Sequence, residues 1–256
     1  MTAILAIARR ELGAFFASPI GWICLSASTF IGGLYFTMLL FGYYTQFQQA
    51  MFSPEQADQM NVNDWVVQPL YNFLSVVVLF LTPLLSMRLV AEDRRQRSME
   101  LLLTSPISSL DIAAGKLLGA LGFAGVMALS TLPYLWIVYT LGEPDTGVVL
   151  ANLGSYVLIL GALLSVGLFA SSLTENQIVA AVISFVFNLF MWIFGFLTQI
   201  VSEGTMKEIV QGFALLPHAE GLGKGLVHLT DIVYFVTFIG FFLFATTQRV
   251  EALRWR

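Results

Sequence analysis

Long apolar runs separated by short charged stretches dominate the chain. A helix crossing ~30 Å of hydrocarbon at 1.5 Å per residue needs about 20 apolar residues. Six stretches reach or approach that length: Ile20–Gly42, Leu70–Met87, Leu117–Leu141, Val148–Ser171, Gln177–Val201 and Ile232–Thr247. None contains Asp, Glu, Lys, Arg or His. The pattern predicts an all-α integral membrane protein with six transmembrane helices, forming one domain over residues 1–256. The first run continues through Phe41 without a small-residue cleavage site, so it reads as a retained span rather than a cleavable signal peptide.

The polar intervals carry helical patterns of their own. Residues 1–19 form an interfacial helix. At ~100° per residue, Ile4, Leu5, Ala8, Leu12, Phe15 and Phe16 share one side, opposite Thr2, Arg9, Arg10 and Gly13. Arg9 and Arg10 would meet headgroups and Phe15 and Phe16 the acyl boundary, with Ser18-Pro19 turning the chain upright. Glu11 falls on the apolar side, where it either bridges to the Arg94–Arg97 cluster or snorkels to water. Between spans 2 and 3, a helix running from Glu92 should end at Ser105-Pro106, and Ser108-Ser109-Leu110-Asp111 reads as a capping box opening span 3. Ser53-Pro54-Glu55 starts a short helix in the first loop. Met206–Leu216 reads as an amphipathic helix stopped by Pro217, followed by a flexible Gly221-x-Gly223-x-Gly225 return.

Composition agrees: 57% of residues are hydrophobic and 11% charged, against roughly 25% charged in an average soluble domain. The net charge of −4 excludes a nucleic-acid binder acting through a broad basic surface. Of the 12 Lys and Arg, all but Lys207 and Lys224 flank one side of the spans, which predicts that both termini are cytoplasmic. The loop Tyr43–Pro69, with Glu55, Asp58 and Asp64 and no basic residue, would be exported. In a bacterium this would be the inner membrane.

Candidate chemistry is sparse. Cys24 is the single cysteine, which excludes an internal disulfide and a cysteine zinc site. The two histidines, His218 and His228, lack H-E-x-x-H spacing. No phosphate cradle is present: Leu110 and His218 stand where the first glycine of G-x-x-x-x-G-K-[ST] would be. With no ionisable group in the spans to bind a coupling ion, energy should arrive from a partner. A gradient-driven or channel-like transporter, a membrane scaffold and a membrane enzyme are the alternatives. Leu101, Leu102 and Leu103 cannot share one helix face, so the segment between spans 2 and 3 either offers a docking surface or lies against the headgroups. Gly115, Gly119, Gly122, Gly154, Gly161 and Ser165 mark close helix packing or line a path. Asn188 should bond a neighbouring helix, a second chain or a solute, and Pro83 and Pro133 should kink their spans.

Several segments together resemble the permease subunits of type-2 ABC transporters, and within them the gliding-motility (GldF-like) branch. They are Arg9–Ile20 (RRELGAFFASPI), Glu92–Ser108 (EDRRQRSMELLLTSPIS) with Gly115-Lys116, Leu216–Phe235 including Asp231 and Tyr234, and Arg254-Trp255-Arg256. Ser98-Met99 departs from the glycine and threonine more usual there. The resemblance implies a coupling helix at 92–106 seated in a cytoplasmic ABC ATPase, with Glu92, Arg94, Arg95, Arg97, Glu100, Leu101, Leu102 and Pro106 at that interface. It implies a connecting helix at Thr2–Ala17 and a second permease chain, identical or related, with spans 1, 2 and 5 transmitting motion. An extracytoplasmic accessory protein and membrane lipid complete the expected partners. No cofactor is expected on this chain; ATP and Mg would sit on the ATPase.

Overall fold

A computed structural model describes residues 2–50, 61–99, 107–200, 211–212, 214–225 and 228–254. The described residues hold no strand and contain six helices long and apolar enough to cross a membrane. The protein is an all-α integral membrane protein.

Helix α1 (Thr2–Ala17) bends at Ser18 into α2 (Pro19–Ala50), the first span. This span outruns its expected end at Gly42, because the aromatic-rich Tyr43–Phe47 contains no helix breaker. A π-helical turn at Asn63–Val67 leads into α3 (Gln68–Ser86), the second span, in which Pro83 lies inside a continuous helix. A short helix α4 (Ala91–Arg95) follows. The third span is broken into α5 (Ser109–Leu129) and α6 (Leu132–Leu141). The break falls at Ser130-Thr131 rather than at Pro133 itself, which stands in the first turn of α6, where a missing N–H costs nothing.

The fourth span is α7 (Thr146–Leu173), capped by Asp145, whose Oδ1 accepts from the Gly147 amide at 2.8 Å. The fifth is α8 (Gln177–Ile200), and the sixth is α10 (Leu229–Arg254). Between them lies α9 (Leu215–Gly223). Pro217 does not stop a helix here; it sits in the first turn of α9, and Gly221 and Gly223 are helical. Only Gly225, at φ 77°, turns the chain with a conformation that favours glycine. The expected loop helix at Ser53-Pro54-Glu55 and most of the expected Met206–Leu216 helix lie outside the described residues.

Helix α7 is the hub. It packs against α3, α5, α8, α9 and α10, and its most apolar window is 72% buried, against 22% for α2 and α10. Its glycines and serines explain this, since small side chains let neighbouring backbones approach in lipid. A Cβ at Gly167 would stand 2.0 Å from Ser86 Oγ and 2.9 Å from Ser184 Oγ, so spans 2, 4 and 5 meet there. Asn188 is fully buried on α8, and its Nδ2 donates to Thr82 Oγ1 on α3 at 3.2 Å. The outward faces stay apolar, with Phe30, Met38 and Phe41 on α2, Ile178, Val182 and Phe190 on α8, and Val236 and Phe244 on α10 exposed. Both α1 and the end of α10 lie at one end of the bundle, here called the basic end. There Arg254 donates to the Ile107 carbonyl at 2.7 Å, and Ser109 bonds Glu251.

Candidate functional site

The basic end is organised around the elbow from Met87 to Met99, which joins the second span to the segment before the third. Three separate structures hold it: a hydroxyl, a charge cluster and an arginine latch. The first is a hydroxyl. Ser171, buried in the last turn of α7, accepts from the amides of Val90 and Ala91, each at 3.0 Å, and donates to the Met87 carbonyl at 2.8 Å. It thereby satisfies the first N–H groups of α4, which has no side-chain cap of its own. Ser171→Ala would strand two buried donors and cost about 1–2 kcal/mol. Faster hydrogen exchange at the Val90 and Ala91 amides, with the spans unaffected, is the expected result.

The second is a four-charge cluster. Lys116, two turns into α5 on its buried face, is covered to 1% side-chain exposure. Its Nζ donates to Glu11 Oε1 at 2.8 Å and also to Asp93 Oδ2. Arg10 completes the ring, donating to Glu11 Oε1 at 2.6 Å and to Asp93 Oδ2 at 3.1 Å. Burial works against the charge on Arg10, but the Glu11 and Asp93 carboxylates outweigh it and raise its pKa further. Two cations balance two carboxylates, so the cluster joins α1, α4 and α5 without a net charge at the membrane boundary.

Glu11 therefore does form a bridge, but the expected partner is corrected: it pairs with Lys116 and Arg10, not with Arg94–Arg97. Arg94 turns the other way, donating to Glu175 Oε1 at 2.7 Å and to the Ser172 carbonyl at 3.2 Å. That latches the elbow to the turn between α7 and α8. Glu175 and Ser171 carried no signal in the sequence; single polar residues near a span end look like ordinary loop residues until the fold brings the elbow to them.

The helix expected to run on from Glu92 is interrupted. It ends at Arg95 with Gln96 as its C-cap, and Arg97 adopts a left-handed φ of 58°, a conformation costing a non-glycine residue roughly 1–2 kcal/mol. Ser98 Oγ donates back to Asp93 Oδ1 at 2.9 Å and stabilises this turn. Glu92 is half-buried and bonded by Gln96, whereas Arg95, Gln96 and Arg97 are exposed. Glu100, Leu101, Leu102 and Pro106 lie outside the described residues. Span 3 opens as its pattern predicts: Ser108 Oγ accepts from the Asp111 amide at 3.0 Å, and Asp111 accepts from the Ser108 amide at 3.1 Å.

Helix α1 is seated in a glycine groove on α5. A Cβ at Gly115 would lie 2.7 Å from Ile7 Cβ, and one at Gly119 would lie 2.6 Å from Glu11 Cβ and 2.8 Å from the Ala8 carbonyl oxygen. Ile7, Glu11 and Phe15 form the buried stripe of α1. The expectation for Phe15 is corrected: it stacks on Phe123 with centroids 4.9 Å apart, under the Arg88 guanidinium at 4.7 Å, instead of entering lipid. Phe16 is 36% exposed, edge-on to Phe123 and Trp22, and Arg9 is exposed. Gly161 packs against Leu121 and Ile239, but Gly154 is corrected as a packing position within the chain: it is exposed, with nothing near it.

At the opposite end, α9 caps the bundle. Asn152 Nδ2 donates to the Gly223 carbonyl at 2.7 Å and Ser155 Oγ to that of Ala219 at 3.0 Å. His218 Nδ1 lies 2.7 Å from Asp231 Oδ1, and its ring stacks on Tyr234 at 4.2 Å. A cavity of about 200 Å³ opens beneath, lined by Tyr71, Ser75, Asn152, Trp192 and Glu220. His218 and Asp231 are too few to hold a metal, and no group of three or more His, Cys, Asp or Glu capable of it exists among the described residues.

Comparison with the curated proteins finds no match. A family model, ABC-2 family transporter protein, matches residues 5–251. That range runs from the seated α1 through the elbow and all six spans to the Glu251 contact at the base of α10, so the chain belongs to the ABC-2 family of transporter proteins.

Proposed function

We propose that this protein is the permease subunit of an ATP-driven transporter of the gliding-motility (GldF-like) branch. It would work as a pair of permease chains in a bacterial inner membrane, with both termini cytoplasmic. A separate ABC ATPase carries the ATP and Mg, and this chain performs no chemistry. Its elbow is the coupling element, which transmits ATPase closure into solute movement or mechanical work.

The observation that carries this reading is the combination of a rigid elbow with an outward basic surface. Arg95, Gln96 and Arg97 are exposed, yet the backbone beneath them is tied to α7 by Ser171, to the α7–α8 turn by Arg94, and to α1 and α5 by Asp93. A force applied there reaches spans 2, 3 and 4 and the N-terminal helix together. A solvated loop needs no such bracing, and keeping arginine at a left-handed position costs stability that a free surface gives no reason to spend.

The test is coexpression with the partner ATPase. Arg95→Glu combined with Arg97→Glu is expected to weaken copurification about tenfold or more and to lower transporter-stimulated hydrolysis accordingly. Unchanged association and turnover would remove the elbow from the interface. Solute movement by the purified chain alone, driven by a proton or sodium gradient, would overturn the ATP-driven reading altogether.

A further inference from the structure

A cleft of about 300 Å³ opens beside the elbow, between the end of α1 and the turn after α3, lined by Arg10, Ala17, Ser18, Arg88, Glu92 and Lys116 among others. Its level is that of the membrane interface. Ser18 is the bend where α1 becomes the first span, and Arg88 follows the second span by two residues. Trp22 marks the same level: its indole is exposed, with Nε1 donating to the Phe16 carbonyl at 2.8 Å, as an aromatic belt residue does.

The charges in the cleft do not all cancel among themselves. Arg10 and Lys116 are satisfied by Glu11 and Asp93. Arg88 is different. No carboxylate lies within ion-pair distance of it among the described residues, one of its guanidinium nitrogens is buried without a partner, and the guanidinium lies over the Phe15 ring and near the Cys24 thiol, neither of which neutralises it. Glu92 stands one turn further on, its amide bonded to the Arg88 carbonyl at 3.3 Å, and its carboxylate receives a neutral Gln96 amide rather than a cation. The cleft thus presents an unpaired cation and an unpaired carboxylate one helical turn apart. Side chains so spaced have Cβ atoms about 5–6 Å apart, the scale on which a phosphate and an ammonium are separated by an ethylene bridge.

We infer that this cleft binds a zwitterionic phosphoethanolamine group, the phosphodiester at Arg88 and the primary ammonium at Glu92, and that its source is a membrane phospholipid. The chemistry selects among headgroups. A choline ammonium has no N–H to donate to Glu92, and a phosphoglycerol headgroup offers no cation at all, leaving that carboxylate unpaired. The location selects the source, because the cleft sits where two spans leave the hydrocarbon, and basic pockets at span ends are where headgroups are captured. The inference does not depend on the ATPase assignment.

The test uses the purified full chain in detergent, with melting temperature and native mass spectrometry as readouts and no ATPase present. Dioctanoyl phosphatidylethanolamine should raise the melting temperature more than the phosphatidylcholine or phosphatidylglycerol of the same chain length. Arg88→Gln should weaken its apparent affinity about tenfold, the scale of one lost charge-assisted interaction. Arg88→Lys should retain part of it. Native spectra of the wild-type chain, which need no variant, should show phosphatidylethanolamine retained over an equal amount of phosphatidylcholine. Equal stabilisation by all three lipids, or a phosphatidylethanolamine effect untouched by Arg88→Gln, would overturn the site. Equal stabilisation by glycerophosphoethanolamine or inorganic phosphate would overturn the membrane as its source.

Discussion

Replacing Lys116 with methionine should destabilise the protein by about 3–5 kcal/mol, the range for removing one partner from a buried ion pair. Methionine fills nearly the same volume, so packing is conserved and the loss is electrostatic. Glu11 and Asp93 would be left sharing Arg10, one guanidinium that is 46% exposed, in place of a fully covered ammonium that faces both. Melting temperature in detergent measures the loss. Adding Glu11→Gln to Lys116→Met should restore part of it, because the neutral amide no longer needs a cation, and the cycle should return a coupling of about 1–3 kcal/mol. A Lys116→Met chain within about 0.5 kcal/mol of wild type would mean that the cluster carries no stability.

The second large effect is steric. Gly119→Leu should expel α1 from its groove at a cost of about 3 kcal/mol. The obstacle at Gly119 includes the Ala8 carbonyl oxygen, 2.8 Å from the new Cβ, and a helix backbone cannot yield as a side-chain tip can. The displacement also pulls Glu11 from Lys116, so the steric and ionic losses arrive together. Trypsin reports the outcome directly, through faster cleavage after Arg9 and Arg10. Gly154→Leu is the control: no atom lies within 4 Å of a Cβ there, and the isolated chain should melt as wild type does. Equal trypsin resistance in both variants would show that the glycine groove does not hold α1.

These two positions also explain why the elbow can be both exposed and rigid. Its outer surface is polar and solvated, while its underside is fastened by charge at Asp93, by a hydroxyl at Ser171 and by the Arg94 latch to Glu175. The fastenings reach α1, α5, α7 and the α7–α8 turn, so a displacement of the third or fourth span or of the N-terminal helix is felt at the elbow.

Much was legible before the fold was known. Uncharged runs of spanning length can satisfy their backbone in hydrocarbon only as helices, so the six spans and the all-α class follow from composition and length alone. The Ser108–Asp111 box was equally local, since both hydrogen bonds close within four residues. The amphipathic pattern of α1 put Glu11 on its apolar face because 100° periodicity is a property of the helix itself. What that face meets was not local. Phe15 reads as a lipid anchor and is a core residue, because only the seating of α1 on Gly115 and Gly119 decides whether the medium beside it is lipid or protein.

Partnership was decided by tertiary structure throughout. Lys116 and Glu11 are separated by 105 positions, Arg94 and Glu175 by 81, and no periodicity carries information over such distances. A charge pattern states how many ions must be neutralised near the boundary, whereas the choice among several acidic and basic residues depends on which helix backbones approach closely. The same holds for α9, where Pro217 and two glycines read as a broken return. They form a helix held against α7, where Asn152 and Ser155 donate to its carbonyls and His218 pairs with Asp231. Residue order along the chain sets the spans and their caps, through forces that act over one or two turns. The hub position of α7, the glycine groove and the elbow's ionic lock arise only when helices far apart in sequence pack side by side.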